Sequence, residues 1–147
     1  MNWLEMPSLE LWETRQQWFD ELGESIQGEG SYLVSDQACA LIGEVQTCFC
    51  AGAWIAVIVL AVSVIDAQLR ETELPDFKGN TKELFNIIQT NPELHNLRKR
   101  RNAIVHIDLE NPAINVDQQW ANQIELEKEA RQAVKLMFEA FYMNPGT

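Results

Sequence analysis

The 147-residue chain contains few of the residues that hold small disulfide-bonded or metal-bound domains together. It has three cysteines, an odd number, and only two histidines. An odd set of thiols excludes a fully paired disulfide framework, and no cysteine or histidine spacing resembles a zinc site. We therefore expect Cys39, Cys48 and Cys50 to be buried free thiols of a cytoplasmic protein, with no metal and no cofactor.

Positive charge is also scarce in this sequence. Eleven basic residues stand against 22 acidic ones, which gives a net charge of −11. Such a surplus of acid excludes a protein that coats nucleic acid without specificity, because that activity needs an extended positive surface. Glycine and proline are few and hydrophobic residues make up 46%, so the chain is not disordered. We expect one domain, residues 1–147, with its own core.

One long apolar run, CFCAGAWIAVIVLAVSVI at residues 48–65, has two interpretations. Its eighteen uncharged residues reach the lower limit for a membrane span. It lacks the basic flank and aromatic belt of a span, however, and it meets Asp66 directly. A helix that is apolar on all sides also suits the core of an all-α domain. We interpret it as a core helix and, since MNWLEMPSLE has no signal-peptide character, expect no membrane attachment.

Helical spacing of apolar residues recurs along the chain, and no segment alternates as a strand does. The predicted fold is all-α, a compact helical bundle with a central apolar helix. The first predicted helix spans about 9–22 with Ser8 as cap, the second runs from Ser35 or Asp36 to the turn at Gly52, and the third continues from that turn to about Glu71. A fourth runs from Asn80 to Gln89 and a fifth from Asn91 onward. The last spans about 117–142, with Trp120 and Ile124 facing inward. The five tryptophans are predicted to lie in the core or at a dimer interface.

Four of the eleven cations are consecutive, in the stretch LRKRRNAIVHID. On a helical wheel Arg101 falls in the middle of the apolar stripe, Arg98 lies at its edge, and Lys99 and Arg100 lie outside it. An unpaired charge facing a core is costly. We therefore expect Arg101 either to be buried beside a carboxylate, with Asp66 the favoured partner, or to line a cleft.

Arg101 and His106 point about 140° apart on an ideal helix, whereas Asn102 and His106 share a face. For Arg101 and His106 to act together, either the helix must unwind between them or a second copy must complete the site. Histidine can transfer protons near neutral pH, and arginine presents a charged fork to phosphate oxygens. The alternative to a catalytic role is that His106 only stabilises the end of a helix.

The stretch LRKRRNAIVH resembles the signature of the HEPN superfamily, an arginine followed by a polar residue and, a few residues later, a histidine. Arg101, Asn102 and His106 hold those places, and Asp66 matches the acidic end of the apolar helix common in HEPN domains. The resemblance covers residues 36–142, with the helix at about 9–22 as an addition. It implies a homodimeric bundle that brings two motifs into one cleft.

The resemblance further implies a metal-independent endoribonuclease, of a kind often found as a bacterial toxin or defence protein, with an antitoxin protein as a further partner. The 2′-hydroxyl of RNA would attack the neighbouring phosphate and leave a 2′,3′-cyclic phosphate. Arg101, Asn102 and His106 would be catalytic, Asp66 would support them, and Arg98, Lys99 and Arg100 would bind RNA. The alternative is a catalytically silent helical module that binds a nucleotide or a partner protein.

Overall fold

A computed structural model describes residues 4–88 and 91–145, and within these ranges the chain forms seven helices and no strand, so the predicted all-α class is confirmed. The only sheet-like pairing in the described residues is a lone bridge between Tyr32 and Pro145. The helices are α1 (Leu9–Gln27), α2 (Asp36–Ala51), α3 (Trp54–Thr72), α4 (Thr81–Ile88), α5 (Glu93–Val105), α6 (Val116–Ala121) and α7 (Gln123–Phe141).

Polar side chains at the predicted caps begin several of these helices. The hydroxyl oxygens of Ser8 and Ser35 accept hydrogen bonds, 3.1 and 3.2 Å long, from backbone amides three residues further on. The side chain of Asn80 does the same before α4, at 2.9 Å, and that of Asn91 accepts from an amide two residues on, at 3.0 Å. These bonds satisfy amides of the first turn that have no partner within the helix. At the other end of α2, Gly52 has a φ of 79° and turns the chain into α3.

The apolar run is divided at the predicted turn: residues 48–51 end α2, and residues 54–65 begin α3, which packs against α2, α4, α5 and α7. Its one fully buried polar residue, Gln68, is satisfied by backbone groups of the segment before α2. The side-chain oxygen of Gln68 accepts from the amide of Ser35 at 2.8 Å, and its nitrogen donates to the carbonyl of Leu33 at 3.0 Å. Within residues 4–88 and 91–145, no helix has both the length and the apolar character needed to cross a bilayer.

The first helix runs five residues beyond its predicted end at Leu22, because Gly23 does not break it. Gly23 is buried within α1 against the ring of Phe138 of α7. A Cβ atom at position 23 would lie 3.0 Å from that ring. The glycine is therefore a packing residue that lets α1 approach α7, and α1 continues to Gln27.

The predicted final helix is two helices, since the chain breaks at Asn122 between α6 and α7. This change of direction leaves Trp120 58% exposed and Ile124 74% exposed. The prediction that both face inward was wrong. The later part of α7, with Val134, Met137 and other apolar residues, is buried as expected. The predicted end of α4 at Gln89, and Trp3, lie outside the described residues.

The three cysteines differ in burial. All are unpaired, but only Cys50 is fully buried, Cys48 is half-buried and Cys39 is exposed. The prediction of buried thiols was therefore wrong for Cys39, which lies on the outer face of α2. Burial raises the pKa of the Cys50 thiol, and nearby Asp20 raises it further. Such a thiol is a poor nucleophile at neutral pH.

Candidate functional site

Helix α5 carries the basic run and stays helical from Glu93 to Val105. His106 follows as the C-cap, with extended backbone angles of φ −117° and ψ 114°. Its amide still donates a helical hydrogen bond, 3.0 Å long, to the carbonyl of Asn102. The helix therefore does not unwind between Arg101 and His106, and one copy of the chain does not direct both side chains to the same point.

The four cations occupy different environments. Arg98 is buried, with 8% of its surface exposed, whereas Lys99 is exposed and Arg101 is half-buried. Arg98 is thus more buried than its predicted edge position implied, and Arg101 is less buried. Lys99 matches the predicted solvated face.

Arg100 is anchored to the body of the protein, contrary to its predicted solvated position. Its guanidinium pairs with the carboxylate of Glu129 on α7, with an Nε to Oε1 distance of 2.9 Å, and donates to the carbonyl of Ala113 at 3.3 Å. Helix α7 and the loop after α5 both come close enough to make these bonds. Arg100 therefore fastens that loop to the bundle, and its fork is already occupied.

Asp66 forms its ion pair with Arg70 and not with Arg101. Its two carboxylate oxygens accept from Nε and Nη2 of Arg70, at 3.0 and 2.9 Å, and the hydroxyl of Thr81 donates to one of them at 2.8 Å. Arg70 also donates to the carbonyl of Gly79 at 2.8 Å. This cluster clamps the connector between α3 and α4. The predicted Asp66–Arg101 salt bridge was therefore wrong.

Arg101 nevertheless lines the same cleft as Asp66, which agrees with the second of its two predicted environments. The cleft is open, has a volume of about 500 Å³ and lies where α2, α3, α4 and α5 meet; its polar lining includes Gln37, Ser63, Asp66, Arg70, Thr81 and Arg101. Sequence reasoning missed Arg70 and Thr81. The four-residue spacing of Asp66 and Arg70 was a usable signal for their pairing.

The charge on Arg101 is only partly balanced. Its Nε donates to the side-chain oxygen of Asn102 at 2.7 Å. Burial lowers the pKa of the Arg101 guanidinium, Asp66 acts in the opposite direction, and the like charge of Arg98 lowers it further. Among the described residues neither Arg98 nor Arg101 forms an ion pair, and the Nε of Arg98 is buried without a hydrogen-bond partner. Two neighbouring guanidinium groups thus lack a carboxylate.

His106 lies outside the lining of this cleft and is exposed. The apolar side chains around it, Val105, Ile107 and Leu109, are also exposed. The motif therefore ends in a segment that combines an exposed imidazole with uncovered apolar surface. Across residues 4–88 and 91–145, no group of three or more His, Cys, Asp or Glu side chains is arranged to hold a metal ion.

Comparisons of the chain with models of protein families, with curated proteins and with solved structures find no match. Any functional assignment therefore depends on the residues themselves and on their geometry.

Proposed function

We propose that the protein is a metal-independent endoribonuclease of HEPN type that acts as a toxin or defence protein in the cytoplasm. The observation that carries the proposal is the pair of guanidinium groups, Arg98 and Arg101, that have no carboxylate partner within the described residues of a chain with net charge −11. An unpaired, partly buried charge is unfavourable until an anion approaches it. The phosphate of RNA is such an anion, and a guanidinium binds it through its planar fork.

Each residue of the motif has a distinct chemical role in this proposal. His106 removes the proton from the 2′-hydroxyl or protonates the leaving 5′-oxygen, since imidazole exchanges protons near neutral pH. Arg101 stabilises the charge that develops on the phosphorane, and Arg98 adds positive potential behind it. The Asn102 amide group orients the imidazole or the hydroxyl. Lys99 contacts the RNA backbone further out, while Asp66 holds the wall of the cleft.

A homodimer explains how the divergent side chains act together. With α5 intact, Arg101 faces the cleft and His106 lies outside it, so a second copy must supply the missing group across a two-fold axis. The exposed Ile107 and Leu109 flank His106 and provide apolar surface for such an interface. We assign Arg100 a structural part in this arrangement, because its guanidinium is already bound to Glu129.

Incubation of the purified protein with structured and unstructured RNA in excess chelator tests the proposal. We expect cleavage that leaves 2′,3′-cyclic phosphate ends, and none of DNA, which lacks the attacking hydroxyl. His106→Ala should abolish cleavage and leave the helical content and the dimer unchanged. His95→Ala, which alters the other histidine of the chain, is the matched control and should retain activity.

Mixed dimers of wild type and His106→Ala then show whether one intact motif suffices. Cleavage that requires a metal, or that survives in His106→Ala, would contradict the mechanism.

A catalytically silent module that binds a nucleotide or a partner protein, such as an antitoxin, is the second candidate. The exposed apolar segment after α5 favours it, because such surface is typical of contacts with other proteins. It predicts that RNA or a nucleotide binds and is not cut, and that binding depends on Arg101 but not on His106. A stable monomer at micromolar concentration would also favour this candidate over the nuclease.

A further inference from the structure

A second cleft of about 510 Å³ lies where the segment before α1, the α2–α3 turn and the α6–α7 region meet. It shares no lining residue with the cleft around Arg101. Its volume is within the range of small-molecule sites, roughly 300–1,000 Å³. The lining residues that matter below are Glu5, Met6, Leu11, Arg15, Gly52 and Trp120.

Arg15 is held in the wall of this cleft by groups that do not neutralise its charge. One Nη donates to the carbonyl of Cys50 at 3.1 Å, and the guanidinium stacks on the Trp54 ring, 4.8 Å from its centroid. The Nε is buried without a hydrogen-bond partner in the described part of the chain, and no ion pair to Arg15 exists there. Burial lowers the pKa of this guanidinium, Glu127 acts in the opposite direction, and Arg131 lowers it further.

Gly52 leaves the space that the Arg15 guanidinium occupies. A Cβ on residue 52 would lie 3.2 Å from the Nη of Arg15, and the φ of 79° is a conformation that other residues adopt at a cost. The glycine at the helix turn therefore has two consequences. It reverses the chain between α2 and α3, and it leaves room for a guanidinium at the base of the cleft.

Exposed apolar side chains form part of the cleft wall, beside the polar residues Glu5, Ser8 and Gln123. Trp120 is 58% exposed, and Met6 and Leu11 are also exposed. An indole ring that is left uncovered beside two other apolar side chains offers a flat surface for stacking. Small-molecule sites commonly combine such apolar walls with one or two charged groups that fix the orientation of the ligand.

We propose that this cleft binds a small planar aromatic carboxylate, with its ring on Trp120 and its anionic group on Arg15. A guanidinium matches a carboxylate well, and a ligand carboxylate would supply the countercharge that the protein does not. A singly charged anion fits better than a dianion, because Glu5 lies in the same lining and the chain is strongly acidic overall.

Titration with 2-naphthoate, followed by calorimetry and ligand-observed NMR, tests this site on the full chain. We expect saturable binding with a Kd below about 1 mM, as appropriate for a ligand of this size. The neutral 2-naphthalenemethanol and the non-aromatic anion acetate should each bind at least tenfold more weakly. 2-Naphthyl phosphate, a dianion, should also bind more weakly than the carboxylate.

Two variants locate the binding. Arg15→Met should weaken 2-naphthoate at least tenfold without changing the affinity of the neutral probe, and Trp120→Ala should weaken both aromatic probes. Ile124→Ala removes a neighbouring exposed apolar side chain that does not line the cleft and should leave all affinities unchanged. If Arg15→Met does not fold, Trp120→Ala and the comparison of probes on the wild-type chain still decide the matter.

The proposal is overturned if 2-naphthoate shows no saturation below about 5 mM. It is also overturned if the carboxylate binds no more tightly than the alcohol, or if Trp120→Ala leaves both affinities unchanged.

Discussion

Replacing Arg98 with methionine should stabilise the fold, although Arg98 is the most buried of the four consecutive cations. It is 8% exposed, and its Nε is buried without a hydrogen-bond partner among the described residues. A buried polar group without a partner costs about 1–3 kcal/mol. Methionine keeps the unbranched apolar stem, so little packing is lost. We expect the free energy of unfolding to rise by roughly 1–2 kcal/mol.

The two neighbouring cations provide matched controls for this substitution. Lys99 is exposed, so Lys99→Met should change the free energy of unfolding by less than about 0.5 kcal/mol. Arg100→Met breaks the pair with Glu129 and should destabilise the fold, by roughly 0.5–1 kcal/mol because that pair is partly exposed. The expected order of stability is therefore Arg98→Met above wild type, Lys99→Met close to wild type, and Arg100→Met below it.

Urea unfolding followed by far-ultraviolet circular dichroism measures these differences. A gain of 1–2 kcal/mol should also raise the Tm by roughly 2–8 °C in a chain of this size. Added phosphate should stabilise the wild type more than Arg98→Met, and comparison of the two cancels the general effect of the salt. A loss of about 1 kcal/mol or more in Arg98→Met would refute the reasoning and make Arg98 a structural residue.

Substitutions at three other positions test the Asp66 cluster, the α2–α3 turn and a half-buried phenol. Asp66→Ala removes three hydrogen bonds at the α3–α4 connector and should cost roughly 2 kcal/mol in urea unfolding, so an unchanged midpoint would contradict the clamp. Gly52→Ala should cost about 1–2 kcal/mol because of the left-handed backbone, and Gly52→Asn less. Burial raises the pKa of Tyr142, so the stability that it contributes is complete below the unfolded pKa of about 10 and is lost as pH rises through the folded pKa. Tyr142→Phe should remove that part of the alkaline loss, measured by urea unfolding at increasing pH.

The features that were predicted correctly from the sequence depend on contacts within about one helical turn. The hydroxyl groups of Ser8 and Ser35 cap their helices through bonds that span three residues, and Gly52 turns the chain through its own backbone freedom. Gly23 is a glycine like Gly52 but lies inside a helix, where it packs against Phe138, which is distant in sequence. Local rules therefore predicted the caps and failed where a remote side chain decided the outcome.

The burial of the cations could not be obtained from a single helical wheel. The wheel centres the buried side of α5 on Leu94, which places Arg101 about 20° from it and Arg98 about 40°. The ring of His95, at about 100° on the same side as Arg98, lies 5.9 Å from that of Phe85 of α4. Helix α4 therefore covers the flank of α5 that carries Arg98. A helical wheel drawn for α5 alone does not include its contact with α4.

The ion pair of Asp66, in contrast, could have been predicted from the sequence. Arg70 lies four residues further along the same helix, a spacing that brings opposite charges together. Asp66 was instead predicted to pair with Arg101, which is distant in sequence, because Arg101 falls in the apolar stripe of the helical wheel. A local partner that orders only one further side chain is favoured over a remote one unless the fold holds the remote group closer. Here the local pairing also leaves the Arg101 charge available.

The distribution of partners among the cations bears on where RNA could bind. All 22 acidic side chains belong to the described residues, two for each cation, and five cations use them in ion pairs: Arg70, Arg100, Lys128, Arg131 and Lys135. Among the described residues, the other six cations form no ion pair despite this excess of carboxylate: Arg15, Lys78, Lys82, Arg98, Lys99 and Arg101. Three of these six, Arg98, Lys99 and Arg101, lie together on α5, so attraction to RNA would be strongest there, since the acidic surface elsewhere repels phosphate.

This confinement limits how RNA can bind. Two copies contribute four guanidinium groups, from Arg98 and Arg101, and two Lys99 ammonium groups, for which single-stranded RNA would give a slope of log affinity against log salt of about −4. A much steeper slope, or a long footprint, would require RNA contacts with cations outside α5.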